Sequence, residues 1–213
     1  WGDAIDLING KAWREDLLDY ASPIHGLFGG VVGHRGSGAV IFMARWYVQK
    51  AIQEYGLKGR YERFVVTRSD FFYGCEHNLS HLDPAFIWVP KGEDWGGITD
   101  RYVICNSQHI MKVIDIYPSP VRYPSKYVNA SWWKVNPETL IAIRWKEENI
   151  WNNVRRFDRV MFTCADDGDK TRWQPPSQQK APEGVYLKYI REYNQTKCVC
   201  GGLRWNELGH CTS

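Results

Sequence analysis

No apolar run in this chain reaches the roughly 20 residues that a helix needs to cross a bilayer, and no membrane span is expected. The opening stretch WGDAIDLING has neither the basic head nor the apolar middle of a secretory signal, so a cytoplasmic location is expected. Basic residues outnumber acidic ones by only 27 to 24 and are scattered among them. No basic stripe is left for a phosphate backbone, and nucleic acid is not expected as a partner. The six cysteines, Cys75, Cys105, Cys164, Cys198, Cys200 and Cys211, are too few and too dispersed for a disulfide scaffold. Reduced thiols are expected, and the sequons at Asn78, Asn129 and Asn194, which are acceptors only in a secretory lumen, are expected to go unused. No internal repeat is visible. His25, His34, His77, His81 and His109 show no paired spacing with a Cys or Ser nucleophile, so a hydrolase triad has no support.

What the chain has is flat aromatic surface. Eleven Trp stand beside twelve Tyr, a bias common where flat faces hold sugars or bases. At 213 residues the chain is long enough for one substantial core and is expected to be a single domain over residues 1–213. Trp at position 1 suggests a processed chain or part of a longer one. Apolar runs alternate with helical patterns, which is the signature of an α/β fold with a central mixed β-sheet flanked by helices. GAVIFMARWYVQKAIQEYG, residues 38–56, reads as a buried helix opened by the turn GHRGSG and closed by a glycine. RFVVTRSD and AFIWVPKGED read as strands ending in polar loops, and DRYVICNSQHIMKVIDIY as a strand flowing into a helix. NPETLIAIRWKEENIW is a second helix with Pro137 in its first turn, where a missing N–H costs nothing. RRFDRVMFTCADDGD reads as one buried strand ending in acids, and residues 174–213 as a loop-rich C-terminal extension.

Three of these strands run into loops bearing Asp: at Asp70, at Asp94 to Asp100, and at Asp166 to Asp169. Ligands of open α/β sheets lie outside the carboxyl ends of strands, so the loops can converge on one pocket. Several carboxylates around a pocket suit a hard cation such as Mn²⁺ or Mg²⁺, which is useful when a diphosphate must be neutralised as it leaves.

TRSDFFY, then IWVPKGEDWGGITDRYVI, then NPETL and a strand running to TRW together resemble glycosyltransferases of the GT-A fold, with Arg-x-Asp in place of their Asp-x-Asp motif. The likeness spans about Ser22 to Trp173 and includes the chlorella-virus members that build capsid glycans. It implies a UDP-sugar donor, glucose or rhamnose being favoured, a glycan or glycoprotein acceptor, a Mn²⁺ or Mg²⁺ ion on the diphosphate, and a host-cell cytoplasmic setting if the chain is viral. By this resemblance Asp70 is the metal ligand, and Arg68 and Ser69 stand at the nucleotide. The run WGGITD is similar to the Trp-Gly-Gly stretch of the β-1,4-galactosyltransferases, which makes Asp100 the candidate base that deprotonates the acceptor. Gly96 and Gly97 would let backbone approach the sugar.

Each motif has a plainer reading. Arg68 and Asp70 can form a structural ion pair, and Asp100 can cap a glycine turn or bind donor hydroxyls. The GHRGSG loop can offer Arg35 and Ser37 to a diphosphate at a helix N-terminus, yet it lacks P-loop spacing and can be a simple turn. Asp167 and Asp169 form a literal Asp-x-Asp that competes for the cation. Cys198, Cys200, His210 and Cys211 offer four zinc ligands at an uncommon spacing. The Trp132 and Trp133 pair can stack on a sugar or fill the core. Two further functions stand against transfer: a carbohydrate-binding module without catalysis, and a metal-dependent nucleotide phosphohydrolase using residues 166–169.

Overall fold

A computed structural model describes residues 30–31, 34–35, 38–123, 126–127, 136–165, 180–206 and 208–212. A two-residue hairpin, β1 (Gly30–Val31) with β2 (His34–Arg35), precedes the long helix α1 (Gly38–Glu54). Gly56, in left-handed conformation with φ 60°, ends that helical run as the glycine stop implied. Next come β3 (Arg63–Val66), β4 (Phe71–Tyr73), β5 (Ile87–Pro90) and β6 (Val103–Asn106), then the short helices α2 (Ile110–Ile114) and α3 (Pro118–Arg122). Helix α4 (Pro137–Glu147) starts in a capping box: Asn136 accepts from the Thr139 N–H while Thr139 Oγ1 accepts from the Asn136 N–H. The chain continues through β7 (Val154–Phe157), β8 (Met161–Ala165), β9 (Tyr186–Leu187), helix α5 (Ile190–Cys200) and the hairpin β10 (Arg204–Trp205) with β11 (Cys211–Thr212).

The architecture is mixed α/β, as the alternating pattern predicts, but the larger strands divide into two sheets rather than one. The first has the order β3-β6-β5-β7, with β6 antiparallel to both neighbours and β5 parallel to β7. The second has the order β4-β8-β9 and is antiparallel throughout. The run expected as one strand is broken at Asp158 to Val160, so that β7 ends in the first sheet and β8 starts in the second. The cause is Arg159, wholly buried at the break, whose guanidinium turns to an acid on α5.

Period-two alternation with packing on both faces explains why β5 and β6 of the first sheet read as continuous apolar runs. Ile87, Val89, Val103 and Cys105 face the main core, with Phe42 and Trp46 of α1 and Leu140, Ile141 and Trp145 of α4. Trp88 and Ile104 point to the opposite face and pack with Phe157, Met161 and Val199. Both faces of β5 and β6 are covered, so the polar Asn106 is confined to a strand end. No helix among the described residues is long and apolar enough to cross a membrane.

The C-terminal segment corrects two expectations. It is not loop-rich over its described part: α5 lies against β8 and buries Glu192, Gln195, Thr196 and Cys198. Nor are its cysteines reduced or free to ligate zinc, because Cys75 is bonded to Cys200 and Cys198 to Cys211. Only Cys105 and Cys164 remain as thiols.

Candidate functional site

Two crossings carry the chain from the first sheet to the second, Thr67 to Asp70 between β3 and β4 and Asp158 to Val160 between β7 and β8. Strands β3, β5 and β7 share one direction, and β6 begins where β3 ends, since Val66 pairs with Val103. The loop from Lys91 to Tyr102 therefore leaves β5 and enters β6 at the same edge. Arg68, Asp70, Asp100 and Arg159 thus meet at the seam between the sheets, as expected for loops at strand carboxyl ends.

Arg68 holds Asp70 in a two-pronged pair, Nε to Oδ1 at 2.9 Å and Nη2 to Oδ2 at 2.6 Å. Both carboxylate oxygens are engaged, with about a third of each side chain exposed. Burial draws the Arg68 pKa down, but the bond and charge of Asp70, aided by Asp100, outweigh it and raise the pKa overall. One guanidinium thus feels the carboxylates of both motifs. The aromatics after Asp70 tie the crossing down: Phe71 lies 6.2 Å from the Tyr102 ring and Phe72 5.4 Å from Phe162. Ser69 is exposed beside them.

The loop from Lys91 to Tyr102 is contorted. Gly92, Glu93, Trp95 and Gly96 all adopt positive φ, a cost that for Glu93 and Trp95 is repaid by surrounding bonds. Asp94 Oδ1 accepts from Thr99 N at 3.0 Å and from Arg156 Nη1 at 2.8 Å. Trp95 is 62% exposed, and its indole Nε1 donates to Glu93 Oε2 at 3.0 Å. Gly97 is demanded by packing: a Cβ there would lie 2.1 Å from the Glu138 carbonyl oxygen at the start of α4.

Asp100 is buried, and its nearest paired cation is Arg101, Nε to Oδ1 at 3.8 Å. Arg45, reaching from α1, donates through Nη2 to the Asp100 backbone oxygen, and its Nη1 has no hydrogen-bond partner among the described residues. Desolvation lowers the Arg45 pKa, against the opposing pull of Asp100. Glu138, the second residue of α4, is also buried; desolvation first, and then repulsion from Asp100, push its pKa up to about 7. Beneath them, Arg101 donates to Glu192 Oε1 and to the Tyr189 hydroxyl, both at 2.9 Å. Arg159 Nη1 lies 3.1 Å from the same Glu192 oxygen, and Thr163 N and Oγ1 donate to Glu192 Oε2 at 2.8 and 2.7 Å. This network pins α5 to β8 and sets the orientation of Arg101. Burial disfavours the charge of Arg101, but Glu192, Tyr189, Asp100 and Glu93 more than offset it, leaving its pKa raised.

Of the residues expected from sequence, Arg68, Ser69, Asp70, Gly96, Gly97 and Asp100 all fall at this seam. Arg35 has its backbone in β2 with its side chain outside the described residues, and Ser37, Trp132, Trp133, Asp167 and Asp169 also lie outside them. Sequence reasoning missed Arg45, Glu138, Arg159 and Glu192. Only the oddity of an arginine in an apolar helix hinted at Arg45, and an acid at N2 of a helix ordinarily signals an exposed cap. Among the described residues, no group of three or more His, Cys, Asp and Glu converges to hold a metal ion. Comparison of the chain with protein-family models, curated proteins and solved structures finds no match, so its functional reading rests on this geometry and on the motif resemblance.

Proposed function

We propose that the chain is a glycosyltransferase that moves a hexose, glucose or rhamnose by the motif resemblance, from a UDP-sugar to a hydroxyl of a growing glycan with inversion. The observation that supports it most is the meeting of two motifs 30 positions apart, Asp70 and Asp100, around the single guanidinium of Arg68. In this reading Arg68 releases Asp70 and pairs with a phosphate of the donor, for which a planar fork of donors is suited. Mn²⁺ or Mg²⁺, held by Asp70 and the diphosphate, would supply the remaining charge neutralisation. Asp100 takes the proton of the acceptor hydroxyl as it attacks the anomeric carbon from the face opposite the leaving group. Trp95 presents its exposed ring to a sugar. The two disulfides favour an oxidising lumen for this activity over the cytoplasm expected from sequence.

A thermal-shift screen with UDP and UDP-sugars, with and without Mn²⁺, tests the assignment. Stabilisation by a UDP-sugar that requires Mn²⁺ and disappears in Asp70→Ala is expected; an unchanged shift in that variant would sink the metal assignment. One observation favours the rival carbohydrate-binding reading: the Arg68 and Asp70 pair is closed, leaving Trp95 as the most exposed aromatic ring of the seam. Glycan binding with no response to UDP would select it.

A further inference from the structure

We propose that Asn78 carries an N-linked glycan. This stands apart from the proposed activity and rests on the compartment that the cysteines require. Asparagine in an Asn-x-Ser/Thr sequon is modified where disulfides form and persist. Cys75, three residues before Asn78, is bonded to Cys200, and a second disulfide joins Cys198 to Cys211.

The described residues separate two of the three sequons. Asn194 lies on α5, and its sequon threonine, Thr196, is wholly buried with Oγ1 donating to Met161 O at 2.9 Å. The hydroxyl that completes that sequon is inside the protein. Asn129 lies outside the described residues. Asn78 and Ser80 are both exposed, at a short turn (Leu79–His81) between β4 and β5. Asn78 Oδ1 accepts from Ser80 N at 2.9 Å and from Ser80 Oγ at 2.7 Å, so the oxygen is tied inward. Among the described residues, the amide nitrogen Nδ2 meets only His81 Nε2, at 3.4 Å on the surface.

Modification there is compatible with the fold. Nδ2 attacks the anomeric carbon of a polyprenyl-diphosphate-linked oligosaccharide; the C–N bond forms, the anomeric C–O bond to diphosphate breaks, a proton leaves Nδ2, and the lipid diphosphate departs. Nδ2 keeps one hydrogen, and both bonds to Oδ1 survive. Only the surface contact with His81 is given up.

One tryptic peptide, Ser69 to Lys91, contains both Cys75 and Asn78, so a single measurement reads oxidation and modification together. The full chain is directed through a eukaryotic secretory pathway, digested without reduction, and analysed by mass spectrometry before and after peptide N-glycosidase. The expected result is this peptide linked through Cys75 to Cys200 of the Cys198 to Arg204 peptide, which Cys198 joins in turn to Cys211 of the Trp205 to Ser213 peptide, with Asn78 converted to Asp by the glycosidase. Asn78→Gln and Ser80→Ala should each lose one glycan in gel mobility while keeping the Cys75 to Cys200 link, and Ser80→Thr should retain it. Unmodified Asn78 in protein that carries the disulfide overturns the proposal, as does a free Cys75 thiol in protein isolated from its own cells.

Discussion

Glu138→Gln should stabilise this protein at pH 8 and hardly at all at pH 5. A carboxylate at the second position of a helix ordinarily gains about 0.3 to 1 kcal/mol from the helix dipole. Glu138 instead sits 9% exposed beside Asp100, with its pKa raised from 4.5 to about 7. Between those two values the folded state keeps a proton that the unfolded chain has lost. Stability therefore falls as pH rises through this window and levels off above it. The rise from 4.5 to about 7 is equivalent to roughly 3 kcal/mol as an upper bound, at about 1.4 kcal/mol for each factor of ten in proton affinity. For a chain of this size that corresponds to about 6 to 12 °C in Tm. Glutamine does not titrate, so the gain in Tm over the parent should open between pH 5 and 7 and stay constant beyond. Part of the shift comes from Asp100, so in an Asp100→Asn background the same substitution should give a smaller gain. A gain that is equal at pH 5 and pH 8, or none at either, would refute the assignment of a buried, charge-repelled Glu138.

Asp100→Asn should leave the Mn²⁺-dependent response to UDP intact while sugar transfer is lost; retained transfer would remove Asp100 as the base. Gly97→Ala places a methyl group 2.1 Å from the Glu138 carbonyl oxygen, so chemical denaturation should show a loss on the order of 3 kcal/mol or more, and a loss below about 1 kcal/mol would contradict the packing of this loop on α4. Cys75 and Cys200 are 125 positions apart and Cys198 and Cys211 only 13, so chain entropy predicts losses of about 5 and about 3 kcal/mol on replacing each pair by serine. Equilibrium denaturation of the two double variants gives the order, and a reversed order would show that native packing, not loop closure, governs the bonds.

Strands β5 and β6 were legible because they are covered on both faces, which leaves unbroken apolar runs with polar residues only at their ends; β3 was legible from its β-branched run, although Val65 is exposed. Helix α4 was legible from its Asn-Pro entry. The meeting of Asp70 and Asp100 followed from strand ends alone. The break at Asp158 to Val160 was not legible, because Arg159 inside an apolar run looks like a solvent-facing residue until Glu192 is placed beside it. Helix α5 was missed for a related reason: its inward face is built from Glu192, Gln195 and Thr196, so the apolar periodicity that marks buried helices is absent. Glu138 looked like an ordinary N-terminal acid, and only the tight approach of Gly97 shows why it is enclosed. The cysteines misled because their spacing along the chain says nothing of which helix face each occupies.

Cys198 and Cys200 are two positions apart on α5, so their side chains leave the helix about 200° apart. One reaches toward the loop after β4 and the other toward β11. In an unstructured segment the two thiols would be near equivalents, and the four cysteines could join in three ways. Once α5 is wound onto β8, rotation selects the partner for each. An isomer that exchanged Cys198 and Cys200 between these partners would be incompatible with α5 as it lies on β8.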